Sequence, residues 1–316
     1  MTGPLEITAG QARSFRLRKS FLLGNPHTDP IEISSKLCGI QAQVLSAAKL
    51  SLGIRSGRNA DEIEKYFHTK NGLVKTWTMR GTLHAIPAKD ISLYSSALGF
   101  DTIDRYILHW KKNYDITKKD SLQLIETLDS LLTTTPKTKR EFSAPAAEQL
   151  GAWVKPIIEN GWGGAIKCLC NQGLAVFSEP RGQEVTFARR ERYLSKWIDR
   201  NPEEAQDTIL RMYLSTYGPS TVSDFSYWLG RPVPFVQKIW DRLQPELLEV
   251  HIAGKRSFLL RTGKKDLLSA KPLSSHFKLL PFFDAYLLPH RKKAELVEDR
   301  HYKKIFRSAG WISQSI

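Results

Sequence analysis

The sequence predicts an α+β fold made of a repeated module, short helices followed by a β-hairpin, with a different, β-rich segment at the C-terminal end. Three observations carry this. Stretches with helical apolar spacing precede paired β-rich runs three times along the chain. Each pair of runs flanks a turn signal: Arg80-Gly81, Arg181-Gly182 and Ala253-Gly254. From about Gly263 the pattern changes to short apolar runs broken by Pro281, Pro289 and Gly310.

The first unit, 1–98, has a helix near 10–23, one beginning at Ser34 or Ser35, and one over "NADEIEKYF" after Asn59. It closes with the strands of "GLVKTWTMRGTLHAIP". Within it, "KLCGIQAQVLSAAKLSLGIRSG" reads as an amphipathic helix with a stripe of Ile33, Leu37, Ile40, Val44 and Ala47 or Ala48. On a helix, Gln41 and Gln43 fall on opposite borders of that stripe, roughly 200° apart, whereas extended backbone would point them the same way. The second unit, 99–200, starts with helices over 101–113 and 118–133. It continues through "TKREFSAPAAEQL" to the strands "LAVFSEP" and "EVTFA". The third, 201–262, has a helix after Pro202 that ends at Gly218, a helix capped by Thr221 or Ser223, and a recognition-like helix from about Pro234. The hairpin "LLEVHIAGKRSFLL" follows. Helix–helix–hairpin three times over is the pattern of tandem winged helices, expected to pack into a curved scaffold. The remaining segment, 263–316, reads as small strands and loops, part of a barrel.

The formal net charge is +15, from 47 Lys+Arg against 32 Asp+Glu among 316 residues, which favours a polyanionic partner. No apolar run approaches the roughly 20 residues that span a bilayer, and the N-terminus lacks the apolar core of a signal peptide. These features point to a soluble protein of a reducing interior. Its three cysteines, Cys38, Cys168 and Cys170, form neither a disulfide framework nor a zinc ligand set. Phosphate-binding loops, HExxH and GxSxG are absent, and "GWGGA" matches no nucleotide fingerprint, so no metal or cofactor is expected. Basic residues cluster at the hairpin turns and in two further runs. Arg80, Arg181, and Lys255 with Arg256 mark the turns. Arg189 and Arg190 lie in "ARRERYLSKW", and Arg291, Lys292, Lys303 and Lys304 in "HRKKAELVEDRHYKKIFR". Wing tips of winged helices touch phosphates or enter the minor groove, and these residues are the expected DNA contacts.

With duplex DNA as partner, the two glutamines take on chemical meaning. An amide has no useful pKa, so neither is a conventional general base. The pair can hold a water between two carbonyl oxygens, or hydrogen-bond a flipped base. That suits a purine alkylated at N7 or N3, whose positive charge already activates the glycosidic bond. Lys36 and Lys49 lie near in sequence but share no clear alignment with the pair, which argues against a Schiff-base lyase.

"GIQAQ", "MRGTLHAIP", "YLSTYGPSTVSDFSYWLG" and "LLPFFDAYLLPHR…KKIFRSAGWIS" together resemble the AlkZ-type winged-helix DNA glycosylases, in order and across nearly the whole chain. The resemblance implies tandem winged helices closed by a C-terminal barrel, excision of N-alkylated purines and, in some members, unhooking of interstrand crosslinks. The family's motif of glutamine, apolar residue, glutamine is matched by Gln41-Ala42-Gln43. On that match the two glutamines would position the attacking water and contact the extruded nucleotide. In "RGTLH", Arg80, Thr82 and His84 either line the same cleft or hold the hairpin by structural hydrogen bonds. The family's strands continue past "GWIS", so 263–316 is expected to hold a truncated barrel. A monomeric DNA-repair hydrolase of the cytoplasm, associated with a prokaryotic nucleoid, is the resulting expectation. The alternative is a non-catalytic winged-helix regulator, which would need sequence-specific readout; no coiled-coil heptad or ligand-sensing domain is evident.

Overall fold

The computed structural model describes residues 4–26, 29–99, 102–273, 277–292, 296, 299–307 and 312. The chain divides into two compact units. One comprises Met1–Lys65, Met79–Thr82 and Gln206–Ile316, the other Tyr66–Thr78 and Leu83–Ala205.

The first unit opens with β1 (Leu5–Ile7) and α1 (Ala9–Lys19), which starts on a reciprocal cap between Thr8 and Gln11. Helix α2 (Pro30–Lys36) is entered through Asp29, whose carboxylate accepts from Ile31 N at 2.9 Å, with Pro30 in the first turn. Then come β2 (Ile40–Gln41), α3 (Leu45–Ser56) and α4 (Ala60–Glu64). The single helix expected through residues 36–57 is therefore corrected. Cys38 takes φ 57° and Gly39 φ 87°, and their N–H groups donate back to Ser35 O and Ser34 O. These bonds are the left-handed stop of a helix C-terminus, with cysteine where glycine is usual.

In the second unit, β3 (Leu73–Trp77) pairs antiparallel with β4 (Leu83–Pro87), from Leu73 opposite Pro87 to Trp77 opposite Leu83. Helices α5 (Ile91–Leu98), α6 (Thr102–Tyr114) and α7 (Lys118–Leu131) follow. Strand β5 (Lys137–Thr138) leads into α8 (Lys139–Leu150), and then come α9 (Lys155–Ile158) and α10 (Gly164–Asn171). Strands β6 (Ala175–Arg181) and β7 (Glu184–Arg189) form the expected hairpin, and β5 pairs with β7. Trp77, Phe177 and Phe187 sit in this unit's core, their ring centroids 4.6–6.2 Å apart.

The chain returns to the first unit along α11 (Pro202–Tyr217), followed by α12 (Val222–Leu229) and α13 (Val233–Leu243). Thr221 caps α12 reciprocally with Asp224. Strands β8 (Leu247–Ile252) and β9 (Lys255–Leu260) turn through Ala253 and Gly254, both at positive φ, the two-residue turn that matches strand twist. An unexpected feature is β1, which adds to this hairpin parallel to β8, Ile7 beside Ile252. After α14 (Lys264–Ser269) and α15 (Asp299–Ile305), β structure among the described residues is limited to isolated bridges such as Phe306 with Ile312. Among the described residues of 263–316 the expected β-rich segment does not form strands. Pro281 and Pro289 lack ladder donors, and Asp284 spends its carboxylate on a helical turn and a buried arginine. Residues Gly310, Trp311 and Ser313 of that expectation lie outside the described residues.

Candidate functional site

The break after α2 decides where the glutamines lie. Two side chains of α11 finish the end of α2. Thr216 Oγ1 donates to Lys36 O at 2.5 Å and Tyr217 Oη to Leu37 O at 2.7 Å, satisfying carbonyls that the helix leaves open. Burial pushes the Tyr217 phenol well above its ordinary pKa, so it stays a donor at neutral pH. Ile40 and Ala42 are buried, and Gln41 is buried with them, 7 % exposed, whereas Gln43 is exposed.

Gln41 Oε1 accepts from Arg80 Nη2 at 3.0 Å, and Arg80 Nη1 donates to Trp228 O at 2.6 Å. Arg80 itself has φ 56°, and its backbone packs on Gly230, the left-handed stop of α12: a Cβ on Gly230 would lie 2.7 Å from Arg80 Cα. Burial lowers the guanidinium pKa to about 10, with Tyr227 and Tyr217 raising it, and it remains a cation at neutral pH. Trp228 is anchored in turn by Tyr213 and Phe225, with centroids 5.0 and 5.9 Å away. Three chain segments, 40–43, 79–82 and 228–230, thus meet at Arg80, which holds the buried amide of Gln41.

The other expected site residues separate into held and free. Thr82 Oγ1 donates to Met79 O at 3.1 Å, and buried His84 bonds Thr78 Oγ1 through Nδ1 at 2.9 Å, both contacts that hold the turn and strand they sit on. Arg181 pairs with Glu141 and Arg189 with Asp129, at 2.9 and 2.7 Å. Arg190 lies 3.5 Å from the Trp197 ring centroid and bonds Glu191, while Arg256 takes Glu249 with two of its nitrogens. Arg291 donates to Ser223 Oγ, and its backbone N–H to Asp224. Lys255, Lys292, Lys303 and Lys304 are exposed and have no ion-pair partner among the described residues. The flanking lysines are ion-paired, Lys36 with Glu32 and Lys49 with Glu64. A cavity of about 660 Å³ lined by Phe21, Lys36, Arg211, Met212 and Thr216 contains neither glutamine. Among the described residues no cluster of His, Cys, Asp or Glu is arranged to hold a metal ion, and no helix is long and apolar enough to cross a membrane.

Comparison with known proteins places this arrangement. The family model described as DNA glycosylase AlkZ-like matches residues 35–312, spanning the glutamine motif and every segment that meets it. The chain belongs to the AlkZ-like DNA glycosylases. A relative named interstrand DNA cross-link repair glycosylase, from Streptomyces sahachiroi, is 29 % identical over 312 residues, covering 96 % of this chain and 83 % of that protein. The solved structure of the Streptomyces sahachiroi DNA glycosylase AlkZ superposes with a TM-score of 0.85 at 26 % identity, over 98 % of this chain and 85 % of that one. As an AlkZ-like glycosylase the protein is a mixed α and β enzyme of the N-glycosyl hydrolase class.

Sequence reasoning missed one feature of this AlkZ-like chain. Arg55 and Asp284 form a fully buried two-pronged ion pair at 2.7 and 2.8 Å, with Ser51 also on the carboxylate at 2.8 Å. Arg55 further donates to Ser20 O, so α3 is tied both to the end of α1 and to residue 284. A signal existed: the aspartate within "LLPFFDAYLL" is a lone charge in apolar surroundings and calls for a buried cation as partner.

Proposed function

We propose that the protein is a monofunctional DNA glycosylase that hydrolyses the N-glycosidic bond of cationic N-alkylated purines in duplex DNA and unhooks interstrand crosslinks. Gln41 and Gln43 are the assigned site residues. The observation that carries this is the Gln41-Ala42-Gln43 stretch, released from helix by the stop at Cys38-Gly39, with one amide buried and the other exposed. In the reaction the C1′–N bond breaks toward the purine, whose positive charge is neutralised by the bonding pair. A water oxygen bonds C1′ and its proton passes to solvent, leaving an abasic site. The amides orient the water and the extruded nucleotide without accepting a proton. The ion-paired Lys36 and Lys49 are poor nucleophiles, which supports hydrolysis over Schiff-base chemistry. The name of the Streptomyces sahachiroi relative supports crosslinks as substrates.

The three helix–helix–hairpin stretches serve as winged-helix modules for DNA. Lys255, Lys292, Lys303 and Lys304, exposed and unpaired among the described residues, supply phosphate contacts first. Arg181, Arg189, Arg190 and Arg256 must exchange an existing partner to do so. The enzyme works as a monomer without cofactor, in the cytoplasm. The test is base release from duplexes carrying N7-methylguanine, N3-methyladenine or a crosslink. Gln41→Ala with Gln43→Ala lowers release at least about a hundredfold. Unchanged release by a folded, DNA-binding double variant would falsify the assignment.

A further inference from the structure

We propose that Arg80 is a positioning residue: it captures the carbonyl oxygen of Gln41, so that Gln41 presents its amide NH₂ to the extruded nucleotide and the water is left to the carbonyl of Gln43. The proposal rests on the glycosylase reading above and divides the labour between two chemically identical side chains.

The geometry carries it. A glutamine amide has one acceptor end and one donor end, and neither is chosen by the residue itself. At Gln41 the choice is made by Arg80 Nη2, 3.0 Å from Oε1. Gln41 Nε2 has no partner among the described residues, yet it is not sealed from solvent. It is therefore the end offered to a ligand, a donor suited to a deoxyribose, phosphate or purine oxygen or ring nitrogen. Gln43, exposed and bonded to no described group, keeps a free carbonyl that can turn a water's lone pair toward C1′. A carbonyl already bound to a cation is the poorer water acceptor of the two.

Arg80 is built for this task. Its guanidinium spans two carbonyl oxygens from different segments, a fork that a point charge cannot reproduce. The left-handed backbone against Gly230 aims the side chain inward, and Trp228, which supplies the second oxygen, is locked in an aromatic cluster. Reaching a phosphate instead would cost Arg80 both acceptors and leave two partly buried carbonyls open.

The test combines single-turnover release of N7-methylguanine at saturating enzyme, DNA affinity across salt concentrations, and the ¹⁵N side-chain amide resonance of Gln41. Arg80→Ala slows saturated release about ten- to a hundredfold, with affinity within about twofold and an unchanged salt slope. It adds little to the loss in a Gln41→Ala background. Arg80→Lys, which keeps charge and bulk, recovers part of the rate and keeps the reading available where the alanine variant fails to fold. In both Arg80 variants the Gln41 amide resonance moves. The proposal is overturned by weaker binding with a salt slope reduced by about one and unchanged saturated release, the signature of a phosphate contact. Equal losses with and without Gln41 overturn it as well. Wild-type protein that releases no base removes the glycosylase reading. An unmoved Gln41 resonance in Arg80→Lys removes the positioning role by itself.

Discussion

Residues 79–82 and 253–256 are both turns in which a basic side chain adjoins glycine, and the fold uses them in opposite ways. At the first, Arg80 is drawn inward onto Trp228 O and Gln41 Oε1, with its backbone against Gly230. At the second, Gly254 has open space around it, Lys255 is exposed without an ion-pair partner among the described residues, and Arg256 lies on the surface against Glu249 and Phe258. A basic residue at a hairpin turn is thus no sufficient sign of an exposed cation. What decides is whether unsatisfied carbonyl oxygens lie within reach of the cation. Where they do, burial and the hydrogen bonds hold it; where they do not, water does, and a phosphate can replace the water.

Arg55 is the extreme of the inward case, and it should give the largest effect. Removing Asp284 leaves a buried, uncompensated guanidinium, and Asp284→Ala should cost about 3–5 kcal/mol in chemical denaturation. Burial alone would raise the Asp284 carboxyl. Arg55, Tyr286 N–H and Ser51 outweigh burial and hold it below its ordinary value. Its contribution is therefore complete above about pH 4, the unfolded value, and is lost as pH falls through the lower folded value. Asp284→Asn should flatten the acid limb of the stability–pH curve; an unchanged limb would show that other carboxylates dominate it.

A matched glycine pair sharpens the comparison of the turns. Gly230 and Gly254 share nearly the same φ, 73° and 75°, so alanine meets similar backbone strain at both. Only at Gly230 does the new methyl collide with backbone, 2.7 Å from Arg80 Cα. Gly230→Ala should cost about 3 kcal/mol and Gly254→Ala about 1 kcal/mol. Equal losses would mean that the inward turn relaxes freely. The smallest effects belong to the outward turn. Lys255→Ala should leave thermal stability unchanged and lower the salt slope of DNA binding by about one. Glu249→Gln frees Arg256 and should tighten binding slightly, mostly at low salt. Loss of DNA affinity there would assign the Arg256–Glu249 pair a structural task.

Much of the architecture was legible because it depends on neighbours within a few residues. Thr221 with Asp224, Asn59 with Glu62 and Thr138 with Glu141 cap their helices as the local patterns imply. The hairpins 175–189 and 247–260 likewise follow from alternation around their turns. The four motifs that carry the family resemblance were equally readable. Hidden were the three-residue strand β1, too short for any periodicity, and the end of α2. There the left-handed positions are Cys38 and Gly39. With cysteine in the first of them the apolar stripe continues, and Gly39 alone is the local sign that the helix stops.

Sequence by itself determined the capped helices, the hairpins, the charge available for DNA and the presence of two glutamines two residues apart. Tertiary structure alone decided that one glutamine is buried on an arginine and the other faces solvent. The physical reason is the cost of left-handed backbone at Cys38 and Arg80, about 1–2 kcal/mol per residue. No local signal recovers that cost. Thr216 and Tyr217 on α11, and Trp228 with Gly230 at the end of α12, more than 100 residues away in the chain, offset it by closing the carbonyls of α2 and fixing the Arg80 fork.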